Sequence, residues 1–196
     1  MKARIAHLLW LACAVAAAGC GASPPSRFYT LDAMAPAADP SAARYAVIVG
    51  PVTVPASVDR PEFVVQVAPN QVALDEFNRW AAPLGDSIAR TVAGNLARLL
   101  GSSDVATAPL ANFKPAYRVT ISVQRFESTP GQAALLKAVW VVHQSASGTS
   151  HAGSTLAREA VQGDGYDALA AAHSRALATL SADIAAAIQA QAHAAR

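Results

Sequence analysis

The residues able to do chemistry in this 196-residue chain are few and widely spaced. Histidine is the usual base or ligand near neutral pH. His143 and His151 stand eight apart, with the turn signal Ser147-Gly148-Thr149 between them, so a hairpin could bring them near one another. No third ligand is indicated. Ser150 beside His151 offers half of a nucleophile pair with nothing to complete it. A solvated strand end accounts for these residues more simply. His173 falls on the apolar stripe of a helical pattern and reads as a hydrogen-bonded core or interface histidine, while His193 sits in an alanine-rich tail. Asp75 and Glu76 are adjacent, so on a strand they point to opposite faces and cannot share acid–base work. Arg79-Trp80 has two readings: Trp80 plugs a sheet–helix corner, or the pair anchors a partner, since Arg and Trp are enriched at interface hot spots. Packing is the weightier of the two. The chain carries no G-x-S-x-G, H-E-x-x-H, Walker loop or G-x-G-x-x-G. Gly163-Asp164-Gly165 reads as a helix-start turn with Asp164 as its cap. The expectation is a protein that is not an enzyme and needs no metal and no cofactor.

The two cysteines, Cys13 and Cys20, both lie in the first twenty positions. A disulfide framework and a thiolate metal cluster in the rest of the chain are therefore excluded. Residues 1–19 read as an export signal: Lys2 and Arg4 supply the charged start and Ile5–Ala18 the apolar run. The run ends in Ala17-Ala18-Gly19-Cys20, small residues directly before a cysteine. This resembles a bacterial lipobox, although Ala17 stands where Leu is usual, and it makes Cys20 the expected site of lipidation and the new N-terminus. One acyl chain holds a protein only marginally at a membrane, and stable anchoring takes more than one; a mature lipoprotein cysteine normally carries three. Gly21 after the cysteine, in place of Asp, favours the outer membrane by the usual sorting rule. Residues 20–26 form the acylated cysteine and a short tether, reaching about 20 Å at about 3.1–3.3 Å per residue.

The elements that must position these residues follow from hydrophobic periodicity. Phe28–Leu31 is a short strand signal. Tyr45–Val54 is a second, with Pro51 marking an edge or bulge. Phe63–Val67 and Val72–Phe77 bracket Pro69-Asn70 as a hairpin. Leu84, Ile88, Val92, Leu96, Leu99 and Leu100 recur at steps of three and four, one face of an amphipathic helix that starts at Pro83 and stops at Gly101. Asp86 and Arg90 lie four apart on its outer side and can pair. Tyr117, Val119, Ile121 and Val123 alternate with polar residues, as a strand with one wet face requires. Leu135–Val142 is apolar on both faces except at Lys137 and reads as a more central strand. Thr155–Val161 is a weaker terminal strand. Tyr166, Leu169, His173, Leu177, Leu180, Ile184 and Ile188 stripe a last helix, and residues 192–196 are expected to fray. Strands grouped between two helices predict an α+β two-layer sandwich, a mixed sheet with both amphipathic helices on one face, in a single domain over residues 27–191.

Composition sets the remaining bounds. Hydrophobic residues make up 53% of the chain, but alanine supplies about a quarter of it and aromatics only 6%, enough for one modest core. Fifteen basic residues face thirteen acidic ones, and removal of Lys2 and Arg4 leaves a neutral domain with two lysines. Such a domain lacks the clustered positive charge that nucleic acid demands.

Taken in order, SRFYTL at 26–31, IVGPVTVP at 48–55, DRPEFV at 59–64, RWAAPL at 79–84, YRVTISVQRFE at 117–127, LLKAVWVV at 135–142 and the helix at 166–188 make a pattern. The chain resembles the ABC-type transport auxiliary lipoproteins, which include the paraquat-inducible protein C type. It departs from their pattern at Glu127, where Asp is usual, and at His143, where an acid is more frequent. The resemblance implies a small α+β module and a non-enzymatic accessory role. The partner would be the MCE-domain (mammalian-cell-entry) protein of an ABC system that moves lipid or other hydrophobic molecules between inner and outer membranes. It also implies attachment to the outer membrane, facing the periplasm. Asp59, Arg60, Arg79 and Trp80 are the partner-binding candidates. A homo-oligomer would suit a protein capping a ring of MCE subunits, although no periodicity in the sequence demands one. The rival role is that of an outer-membrane assembly lipoprotein or a regulator of a cell-wall synthase.

Overall fold

Alternation in the second half of the chain builds the larger of two sheets. Tyr117, Val119, Ile121 and Val123 turn inward from strand β6 (Tyr117–Thr129) while Arg118, Thr120 and Ser122 meet water. A bulge at Gln124 then reverses the parity, so that Phe126 and Ser128 point inward instead. Strand β7 (Ala133–Gln144) pairs antiparallel with β6 on one side and with β8 (Ser150–Ala160) on the other, the central place its apolar sequence predicts. On the far side of β6 lie β2 (Val47–Thr53) and the two-residue β5 (Val105–Ala106), giving the order β5-β2-β6-β7-β8. β5 covers β2 only at Val47 and Ile48, and the β2–β6 register shifts between Val49 and Val52. Pro51, which has no N–H to donate, thus sits at a bulge on a stretch of open edge.

Two helices cover one face of this sheet. In α1 (Leu84–Leu99), Leu84, Ile88, Val92 and Leu96 are buried. In α2 (Gly165–Ala194), Leu169, His173, Leu177, Leu180, Ile184 and Ile188 are buried and face β7, β8 and α1. The stripe expected from the sequence is the buried one. The helix runs into the segment expected to fray, with Ala192 buried and helical geometry through Ala194. Arg90 donates to Ser87 Oγ (3.2 Å), and no ion pair joins it to Asp86 among the described residues.

These residues come from a computed structural model that describes positions 24–37, 45–109 and 112–194. The signal segment 1–19, Cys20 and the first residues of the tether lie outside them.

The architecture is the α+β sandwich expected, with one addition: the early strands form a separate three-stranded sheet. β1 (Arg27–Tyr29) pairs parallel with β4 (Gln71–Trp80), which pairs antiparallel with β3 (Glu62–Ala68), in the order β1-β4-β3. Phe63 and Trp80 stack from this sheet (4.2 Å between ring centres) and meet Tyr29, Phe126 and Tyr166 edge-on or tilted. This aromatic cluster joins the small sheet to β6 and α2.

After β1 the chain crosses both helices as an extended strap. Leu31 O accepts from Thr91 Oγ1 (3.1 Å), Asp32 N donates to Ser174 Oγ (3.0 Å) and Ala35 N donates to Asn95 Oδ1 (2.8 Å). Asn95 also donates to Ser181 Oγ (3.2 Å), bridging α1 and α2 beneath the strap. A β-carbon at Gly94 would come within 2.9 Å of Ala33 Cβ, so the bare glycine is what lets strap and helix touch.

Candidate functional site

His173 and Ser128 form the closest pairing with a catalytic look. Ser128 Oγ lies 2.8 Å from His173 Nε2, the spacing of a nucleophile and its base. Their surroundings remove that use. His173 is fully buried in the N-terminal third of α2, its ring stacked on Phe126 (3.8 Å, 8° between planes) with Trp80 beyond. Nδ1 has no hydrogen-bond partner among the described residues, so no carboxylate orients the ring. Burial pulls the imidazole down to about 3, far from a useful base at neutral pH. It is a neutral aromatic plank in the core, as its place on the stripe suggested. Ser128 escapes sequence reading because unbroken alternation from Tyr117 would put it on the wet face, and the bulge at Gln124 is what turns it inward.

His143 and His151 do not converge. His143 pairs across the hairpin with Ser150, and its Nδ1 lies 3.0 Å from Ser150 Oγ at an exposed position. His151 is registered with buried Val142 and leans toward Trp140, on the opposite face of the sheet. No group of three or more His, Cys, Asp or Glu side chains able to hold a metal occurs among the described residues.

Asp75 closes an irregular stretch of β4. Its Oδ1 accepts from the backbone N–H of Phe77 and of Asn78 (both 2.9 Å), and its Oδ2 accepts from Asn78 Nδ2 (2.9 Å). Burial works against its charge, but these donors and the Tyr166 hydroxyl outweigh burial and hold the carboxyl below its ordinary value. The same contact, after burial, pushes Tyr166 up to about 12. Glu76 is exposed, and the two acids share no site.

The partner-binding candidates are brought partly together. Asp59, Arg60 and Trp80 line one cleft of about 310 Å³ with Pro61 and the Ala81–Leu84 approach to α1. Trp80 presents little of itself there: it is 5% exposed and belongs to the aromatic cluster, so it plugs the sheet–helix corner. Arg60 Nε is buried in the wall of the cleft with no hydrogen-bond partner among the described residues. Arg79 points away from the core and pairs with Glu62 (3.1 Å) across β4 and β3. The cleft offers a carboxylate, a guanidinium and apolar walls, which suits recognition of a polypeptide rather than bond-making.

A family model described as an ABC-type transport auxiliary lipoprotein component matches residues 29–185. The chain belongs to that family. This auxiliary lipoprotein is similar in structure to an uncharacterized protein with 24% identity and a TM-score of 0.68, covering 84% of this chain and 99% of that one. It is equally similar to a Xanthomonas campestris protein of the DUF330 family, with 19% identity and a TM-score of 0.68, over 87% and 100% of the two chains. At those identities the likeness speaks for the fold alone. No curated protein matches the sequence significantly. Family membership makes the chain an auxiliary, membrane-associated component of an ABC-type transport system. Among the described residues no helix is long and apolar enough to cross a membrane.

Proposed function

We propose that this auxiliary lipoprotein is anchored through acylated Cys20 to the outer membrane. From there it serves, without catalysis of its own, as the periplasmic docking subunit of an MCE-type ABC system for intermembrane lipid transport. The family match over residues 29–185 carries the reading. Two further features support it: the small-residue run before Cys20 in the sequence, and a Ser–His pair whose imidazole is wholly buried. The cleft of Asp59, Arg60 and Trp80 is the surface we assign to the MCE partner.

Co-purification from envelope extracts tests the partner. An MCE-domain protein is expected in the eluate, and recovery of outer-membrane assembly factors alone refutes the role. Mass spectrometry of the mature N-terminus tests the anchor. Wild type should give an acylated peptide beginning at Cys20. Cys20→Ser should give an unprocessed precursor or a soluble periplasmic protein with its fold intact, because a hydroxyl does not replace the thioether sulfur and no disulfide depends on it.

A further inference from the structure

Of the seven large apolar side chains left exposed among the described residues, five belong to the three-stranded sheet: Phe28, Val67, Val72, Leu74 and Phe77. Pairing register places most of them on one side. Phe63 and Val65 of β3 turn toward the core, so Val64, registered with Leu74, turns outward, and Val72 lies two residues before Leu74 on the same face. Phe28 is registered with Arg79, while its neighbour Tyr29, registered with Trp80, faces in. The result is an outer face on β1, β4 and β3 that carries Phe28, Val64, Val72 and Leu74 beside Gln66 and the Arg79–Glu62 ion pair, its Val64–Val72 end bordering a cleft with Gln124–Ser128 of β6. The five-stranded sheet shows what a face bathed in water looks like in the same molecule. Along the first half of β6 its outward positions are Arg118, Thr120 and Ser122. Five of seven exposed large apolar side chains gathered on one small sheet mark a contact surface.

The course of the chain says what covers it. Phe77 shares a cleft with Pro24 and Pro25 of the tether and with Arg27 at the start of β1. Only Gly21, Ala22 and Ser23 separate Cys20 from Pro24. Four Cα–Cα steps reach at most about 15 Å even when fully extended. An acyl group on Cys20 therefore holds Pro24, and with it the Phe77 end of this face, close to the lipid headgroups.

We propose that the outer face of the three-stranded sheet seats on the lipid bilayer, with Phe28, Val72, Leu74 and Phe77 entering the boundary between headgroups and acyl chains. This rests on the acylation of Cys20. The seat adds apolar contact to the covalent anchor and fixes the domain's orientation, which acyl chains alone do not. It leaves α1, α2 and the Asp59–Arg60 cleft to other partners.

The test uses the mature lipoprotein in vesicles of phosphatidylethanolamine and phosphatidylglycerol. Phe28→Cys, Leu74→Cys and the control Thr120→Cys each supply one free thiol for an environment-sensitive fluorophore. At positions 28 and 74 the emission should shift to the blue and be lost when spin-labelled lipid is included; at position 120 it should do neither. Labels at 28 and 74 that stay as open to aqueous iodide as the control overturn the proposal. A blue shift that ignores spin-labelled lipid and grows with protein concentration overturns it too, by assigning the face to a second copy of the chain. The N-terminal peptide is weighed from the same sample. An acylated peptide with water-exposed labels sinks the bilayer seat and leaves the anchor standing; an unacylated peptide sinks both.

Discussion

His173 carries an imidazole where a proton cannot follow. In the unfolded chain the ring protonates near its ordinary value of 6.5, while in the core burial holds it at about 3. The unfolded state therefore binds the extra proton between those values. The stability that the neutral ring supplies is complete above pH 6.5 and is lost as pH falls toward 3, by about 1.4 kcal/mol for each unit. His173→Phe keeps a flat ring against Phe126 and removes the titration. Urea unfolding of the variant should show a shallower acid limb between pH 6 and 4, by close to one proton, with a loss of about 1 kcal/mol at neutral pH where Ser128 gives up its partner. An unchanged limb would mean that the ring is protonated in the folded protein. At the alkaline end Tyr166 acts with the opposite sign. Its hydroxyl is raised from 10 to about 12, so its contribution is complete below pH 10 and is lost as pH rises toward 12.

At the scale of elements, the strap over the helices is held by side chains rather than by a ladder. Asn95 is fully buried, accepting from Ala35 N and donating to Ser181 Oγ. Asn95→Ala strands the Ala35 N–H away from water and unties α1 from α2, which should cost about 1–3 kcal/mol in urea unfolding. Hydrogen exchange at Ala35 should rise by more than it does in the β6–β7 hairpin. Loss spread evenly over all amides would instead mean that the strap opens only with the whole domain. How much of this was legible in the sequence differs from element to element. β6, β7 and both helices are long enough for their periodicity to speak, and His173 stood on its stripe. β5 has two residues and no pattern to read. The alternation of Phe63 and Val65 shows that they face a core but not that β3 and β4 join β1 in a sheet of their own, because pairing partners are chosen by tertiary packing. The strap is invisible for a related reason: its bonds pair backbone groups with Ser, Thr and Asn side chains about 60 to 140 residues away. Asp59, Arg60 and Trp80 were brought into one cleft, whereas Arg79 found Glu62 instead.

For the whole molecule the assignment of surfaces makes a separable claim. The Asp59–Arg60 cleft lies at the start of α1, and Asp59 is exposed there while Trp80 is sealed beneath. Reversing the charge with Asp59→Lys should abolish recovery of an MCE-domain protein in pull-down and leave the thermal midpoint within about 2 °C of wild type, as surface substitutions away from the core usually do. Trp80→Ala should instead unfold the domain at lower urea, costing about 3–5 kcal/mol, because it removes a buried aromatic from a stack. Equal loss of capture in Asp59→Lys and wild-type-like capture in a folded Trp80 variant would show that the polar rim, not the aromatic, makes the contact. The strap has one more meaning when the domain is considered under load. A pull arriving from the N-terminal side enters at Arg27 and is shared first across the β1–β4 pairing. It then reaches Leu31, Asp32 and Ala35, which hand it to Thr91 and Asn95 of one helix and Ser174 of the other. Tension is thus delivered to the middle of the body instead of its rim, and the chain cannot be unravelled from its N-terminal side without first breaking its grip on both helices.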